Sequence, residues 1–294
     1  MPTFETAAPI ELSIDIPVAN VHLVASDRHD TVVTLRPTMR ARPQDVRAAD
    51  QVRVTNTDGR VRVAVPKGWS YYSPFGPSGS VDIDIELPAG SSVDSEWPVG
   101  SLGAEGRLGD CVLKSSTGTI TLEETGSLSF RTSTGTVSVE HATGNVDLIS
   151  STGSIRVARI DGDATIKNST GNTTVGAVGG QLVVNGAHGS VSIERAENSV
   201  QVTTAYGNVR IDEVIRGAVQ LESSYGELEI GIRPAVAVWL DVSSQHGSVR
   251  TSLTQKDAPA ETGDSVEIRA RSTHGDIIIR RSNQKSNEAR SSSR

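Results

Sequence analysis

The residues best suited to chemistry in this 294-residue chain sit just before a series of glycines. They run Val99, Thr117, Thr134, Thr152, Thr170, His188, Tyr206, Tyr225, His246 and His274. Imidazoles and phenols donate and accept hydrogen bonds, and imidazole also ligates metals. On neighbouring strands such side chains lie ~5 Å apart, so their rings can pack. His188, Tyr206, Tyr225, His246 and His274 are therefore a candidate interaction strip for a partner, a glycan face or a metal. The same residues equally suit turns that stack for stability. A metal fits less well, because His246 and His274 lack a third and fourth ligand at a recognisable spacing.

A second candidate is the stretch KGWSYYSPFGP, with Trp69, Tyr71, Tyr72 and Phe75. Trp and Tyr are frequent interface anchors, so it reads as a recognition loop, or as a lid over an apolar end. Asp82, Asp84 and Glu86 share a strand face, and Asp94 and Glu96 follow. Polysaccharide-cleaving β-helix enzymes cluster Asp with Arg or Lys on one exposed face; these acids read instead as the wet side of early strands. Cys111, the one cysteine, falls at an apolar position and reads as packing. There is no GxSxG, HExxH, P-loop or strand-linked GxGxxG. No catalytic residue, cofactor site or metal site is expected.

The glycines that carry these residues are Gly100, Gly118, Gly135, Gly153, Gly171, Gly189, Gly207, Gly226, Gly247 and Gly275. A short fixed period means one supersecondary unit stacked on copies of itself. Counting from each glycine, positions −7, −5, +2 and +4 are apolar in all but Ser95, Thr173 and Thr251. The residues between are mostly polar. This is period-2 alternation with one buried face, two strands to a unit. Gly109, Gly126, Gly144, Gly162, Gly180, Asn198 and Gly217 mark a second turn, Asn standing in where a positive φ is needed. Each element is expected to stack in parallel on the same element one coil later. Small polar residues at −3, such as Ser115, Thr132 and Ser150, continue the inward side and are expected to bond turn backbone.

The fold class is therefore all-β, a single-chain parallel β-solenoid of about ten coils of ~18 residues, roughly 45–50 Å long at the usual strand spacing. Residues 1–90 read as an irregular β-rich N-terminal cap merging into the solenoid, 91–280 as the repeats, and 281–294 as a disordered polar tail. Within the cap, Asn56–Gly59 is a hairpin signal, and Pro43 to Gln51 suits a short helix. An insertion lies at 257–264.

Aromatics are only 3%, so Val, Ile and Leu must supply the core. A net charge of −7 argues against a nucleic-acid partner. The N-terminus has neither basic nor apolar leader regions, and no apolar stretch reaches the ~20 residues of a membrane span. The chain as written reads as cytoplasmic, or as a surface protein if a leader has been removed.

The repeat phrase STG-x-[IV]-x-[VL] resembles the bacterial β-strand-repeat family named putative adhesins, of unknown molecular function, and most closely its actinobacterial leaderless branch. Further matching stretches are Met1–Phe4, Ala25–Arg28, Asp30–Val33, Val46–Ala49, Val65–Trp69, Tyr72–Gly76, Ile85–Gly90, Gly231–Arg233 and His274–Ile277. The resemblance covers roughly residues 3–281. It implies a solenoid without known catalytic residues, and its name implies a surface location. The expected function is a non-enzymatic interaction or scaffold module with a protein or glycan partner. The alternatives are an end-to-end polymer, through self-association of the solenoid ends, and a carbohydrate-binding or carbohydrate-cleaving β-helix.

Overall fold

Alternating apolar residues leave each strand one dry face, and stacking coils is what buries it. In the computed structural model, which describes residues 2–6, 8–66, 79–253 and 265–282, that is how the chain folds. Leu113, Ile120, Leu122, Phe130, Ile166, Val184, Ile211 and Leu221 are at most 1% exposed. Side chains between them point to solvent. The chain forms an all-β parallel solenoid of two compact units, Met1–Gly162 and Asp163–Arg294.

In the first unit, the repeat coils pair in parallel and in register, as in Phe130↔Leu113 and Val137↔Ile120. The strands run unbroken through the glycine turn here, from Ser92 to Arg107, Cys111 to Thr125 and Leu128 to Ala142. Two further coils lie hidden in the region read as a cap. Glu11–Asp15 and Val18–Ser26 form a coil that lies directly against Ser92–Arg107, with Leu12↔Val93 and Ala19↔Gly100 in register. Beyond it lies a coil made of Arg60–Ala64 and Val81–Pro88. So Glu11–Asp15 and Val18–Ser26, early in the chain, are the second coil from the outside of this unit. Arg53–Thr57 and Asp30–Pro37 add to the outer coil antiparallel, and Thr3–Glu5 adds to Asp30–Pro37. The helix is found at Pro43–Gln51 and the hairpin turn at Asp58 and Gly59, both with positive φ.

In the second unit the coils again stack in register, from Ala164–Thr170 through Leu182–His188 and Val200–Tyr206 to Gly217–Tyr225. The order then departs from the sequence. Gly217–Tyr225 pairs with Ser265–His274, not with the intervening Ala237–Ser244. Ala237–Ser244 pairs with the other side of Ser265–His274. The return strands follow suit, with Ile277–Arg281 between Leu228–Ile232 and Val249–Thr251. The last coil of the chain is thus inserted beneath the one before it. This corrects the expectation that every element stacks on the next copy in sequence.

The glycines earn their place less by turn geometry than by close backbone approach. A Cβ on Gly207 would lie 2.1 Å from the Gly189 carbonyl oxygen, at a φ of 148°. At the second turn a positive φ occurs only at Gly217; Asn198 does not adopt one, and its Nδ2 instead donates to the Gly179 carbonyl at 3.4 Å. The −3 ladder also differs from expectation. Thr132, Asn168 and Ser244 bond turn carbonyls. The buried hydroxyls of Ser115, Ser150, Thr204, Ser223 and Ser272 have no hydrogen-bond partner among the described residues. Their small size is what the crowded corner selects: a Cβ on Gly118 would already lie 2.8 Å from Ser115 Oγ.

Candidate functional site

The residues before the glycines fall on one edge because each closes a strand that is held in register by its neighbours. Thr170 pairs with His188, His188 with Tyr206, Tyr206 with Tyr225, and Tyr225 with His274. The strand spacing brings ring on ring. Centroids are 4.9 Å apart for His188–Tyr206 and for Tyr206–Tyr225, 4.6 Å for Tyr225–His274 and 4.6 Å for His274–His246. The first three pairs are within 8° of parallel, and the last is tilted by 24°. The inserted coil exchanges the two histidines, so the spatial order ends with His274 and then His246.

All five rings are exposed; Tyr206 is 49% and Tyr225 45% accessible. Each inner ring has both faces covered by neighbours, so what meets solvent is the edges. The strip is a row of phenol and imidazole groups with the strand repeat. Such a row can donate and accept hydrogen bonds at regular intervals. It offers a sugar no free inner ring face to stack on.

Beside it runs a second ladder, at position +1, that the sequence reading passed over. Asn172 Oδ1 accepts from the Ser190 amide at 3.0 Å, and Asn208 Oδ1 from the Glu227 amide at 3.0 Å. Asp276 Oδ1 accepts from the Ser248 amide and hydroxyl, both at 2.9 Å. These bonds hold the Asp276 carboxyl below its ordinary pKa, with Arg250 at 3.2 Å adding to the effect. The Asx side chains take over the coil-to-coil bond where the strands break. In the first unit Ser101, Thr119 and Thr136 stand at that position and the backbone pairing continues. The signal was present in the sequence as Asn or Asp one residue after the glycine.

The other candidates separate. Trp69, Tyr71, Tyr72 and Phe75 lie outside the described residues, as do the insertion and the tail beyond Ser282. Asp84 pairs with Arg36, Glu86 with Arg28, and Asp82 accepts from Asn20 and Thr38. Asp94 and Glu96 sit on a strand half that pairs with Glu11–Asp15 rather than with Val18–Ser26, away from those acids. The five acids therefore form no single cluster. Among the described residues no group of three or more His, Cys, Asp or Glu could hold a metal. Cys111 is buried, and burial pushes its thiol up to about 11, as suits a packing residue. An open groove of about 250 Å³ over Lys114 and Arg131, flanked by Glu96, is smaller than the usual ligand cavity.

The architecture defines a β-solenoid of short, parallel, in-register coils. The chain belongs to the Toastrack DUF4097 family, which matches residues 10–294. It is similar to the crystal structure of a putative adhesin from Parabacteroides distasonis, at 12% identity over 94% of this chain and 95% of that one, with a TM-score of 0.46. A second, from Parabacteroides merdae, is 14% identical over 77% and 93%, with a TM-score of 0.47. A third, from Bacteroides fragilis, is 11% identical over 95% of each chain, with a TM-score of 0.32. No curated protein matches the chain. No helix among the described residues is long and apolar enough to cross a membrane.

Proposed function

We propose that the chain is a non-enzymatic interaction module of the adhesin type that contacts its partner through the ring ladder His188–Tyr206–Tyr225–His274–His246. The observation that carries this reading is five exposed rings in one stack where the equivalent positions of the four preceding coils, Thr117, Thr134, Thr152 and Thr170, hold threonine. Stacking could be supplied by buried residues. A stack left half in solvent keeps its polar edges available at the strand repeat. That suits an extended protein segment or glycan with hydrogen-bonding groups along its length, bound by its polar groups rather than by ring faces. A cleaving enzyme is less well supported, because the acidic candidates are ion-paired, hydrogen-bonded to neutral neighbours or on separate strand rows.

The test compares the chain with a variant carrying Thr at 188, 206, 225, 246 and 274 on an array of glycans and of extended peptides, well below either melting temperature. Loss of every captured ligand with the fold retained supports the reading. Unchanged capture overturns it.

A further inference from the structure

In the second unit the outermost strands are Ala237–Ser244 and Val249–Thr251. Among the described residues each has a neighbour on one side only, Ser265–His274 and Ile277–Arg281 respectively. The apolar stripes continue onto them but are not closed. Leu240 and Val242 are only half-buried, Val249 is 41% exposed and Thr251 is exposed, where their counterparts one coil in, Ile268, Ala270, Ile277 and Ile279, are at most 1% exposed. Ala237–Ser244 has no proline, lysine or bulge to blunt its edge, and its one charge, Asp241, is paired with Arg271. The first unit is finished differently. Its outer coil is covered by antiparallel Arg53–Thr57 and Asp30–Pro37, the latter extended by Thr3–Glu5. Of these, Arg53–Thr57 is short and polar.

We propose that the Ala237–Ser244 edge binds the same edge of a second copy, antiparallel, with Leu240 on the two-fold axis. This rests on the edge alone and is independent of the role proposed for the ring ladder. In that register the inward residues meet inward residues, Leu240 with Leu240 and Val238 with Val242 of the second copy. Outward, Trp239 stands opposite Asp241 of the second copy, so no like charges face each other. Moving the axis to Asp241 would oppose two carboxylates. Asp241 is also already balanced by Arg271, which donates to its carboxylate and its carbonyl at 2.6 Å each. The pairing extends the ladder that joins the coils of the second unit. An isologous contact of this kind closes as a pair. Among the described residues, the differently finished edge of the first unit gives no second matching surface from which a filament could grow.

Sedimentation velocity of the full chain over a concentration series should show monomer and dimer and nothing larger. Directly opposed residues in an antiparallel pair lie about 4.5–5.5 Å apart at Cα, within disulfide reach. The Leu240→Cys variant should therefore give a disulfide-linked dimer on mild oxidation, with Cys111 buried and unreactive. Trp239→Cys, which faces position 241, should cross-link at least tenfold less. Val242→Lys should raise the dimer dissociation constant at least tenfold, with circular dichroism confirming the fold of each variant. A monomer at all concentrations, equal cross-linking at 239 and 240, or growth into longer oligomers would overturn the proposal. So would protection of the edge amides that is concentration-independent and vanishes when residues 283–294 are deleted, since the chain's own tail would then be the occupant.

Discussion

His274 stacks on Tyr225 at 4.6 Å, and His246, although earlier in the chain, stacks on the far side of His274. His274 therefore has two ring neighbours and His246 has one. Stacked pairs are worth about 0.5–1.5 kcal/mol each, nearer the lower end when exposed. His274→Thr should cost roughly twice as much stability as His246→Thr, read from urea unfolding midpoints. Equal costs, or a larger cost at His246, would contradict the exchanged coil order.

The apolar stripes give the sharpest stability prediction. Ile166 is fully buried, and Ile166→Asp would leave a carboxylate there with no cation to meet. The expected loss exceeds about 4 kcal/mol, enough to abolish cooperative melting in calorimetry. A variant that melts normally would contradict the assignment of the inward face.

Two glycines separate crowding from backbone preference. Gly207→Ala combines a φ of 148° with a Cβ 2.1 Å from a backbone oxygen that cannot move without shifting the next coil. Gly59→Ala meets only the φ of 78°, with nothing within 4 Å. The second should cost about 1 kcal/mol and the first at least twice that. Similar thermal shifts for the two would show that close approach is not the constraint.

Acid should loosen the outer coil of the second unit first. The folded Asp276 carboxyl is held below its ordinary pKa by the Ser248 amide and hydroxyl. A lowered carboxylate pKa means the stabilisation is full above the unfolded-state value, near 4, and fades as pH falls through the folded value. Below about pH 4 the Ser248 amide should exchange faster relative to buried amides such as Ile166. Asp276→Asn should flatten that dependence, as followed by hydrogen exchange.

Cys111 provides a reporter of global opening. A buried thiol held near 11 is neither accessible nor ionised at neutral pH. Labelling by a thiol reagent should be slow and should track the unfolding equilibrium under added urea. Rapid labelling in the native state would place the residue outside the core.

Much of this was legible in the sequence because two numbers, the period of a strand and the period of a coil, leave few alternatives. The stripe residues follow from them directly, and the short helix from Pro43, placed to open it. Coil order does not. The Gly247 and Gly275 coils carry the same pattern, and a pattern repeated twice does not say which copy lies inside. Thr251 at a stripe position was the one local hint that the Gly247 coil meets less of a core. The coil around Ala19 was hidden for a related reason. Alanine replaces the expected glycine there, yet Leu12, Ile14, Val21 and Leu23 keep the stripe spacing and are buried. The ring ladder was visible as a run of residue types. Its geometry, with faces covered and edges out, required the stacking distances.

The C-terminal strands enter the second unit one coil in from its outer edge. Ser265–His274 lies between Gly217–Tyr225 and Ala237–Ser244, and Ile277–Arg281 between Leu228–Ile232 and Val249–Thr251. A stacked-coil protein pulled by its termini would ordinarily unpeel one strand at a time, like a zip. Here Ile277–Arg281, the last described strand, is gripped on both sides, so two ladders must shear together before it unwinds, whereas Thr3–Glu5 has one neighbour, Asp30–Pro37, and should release first.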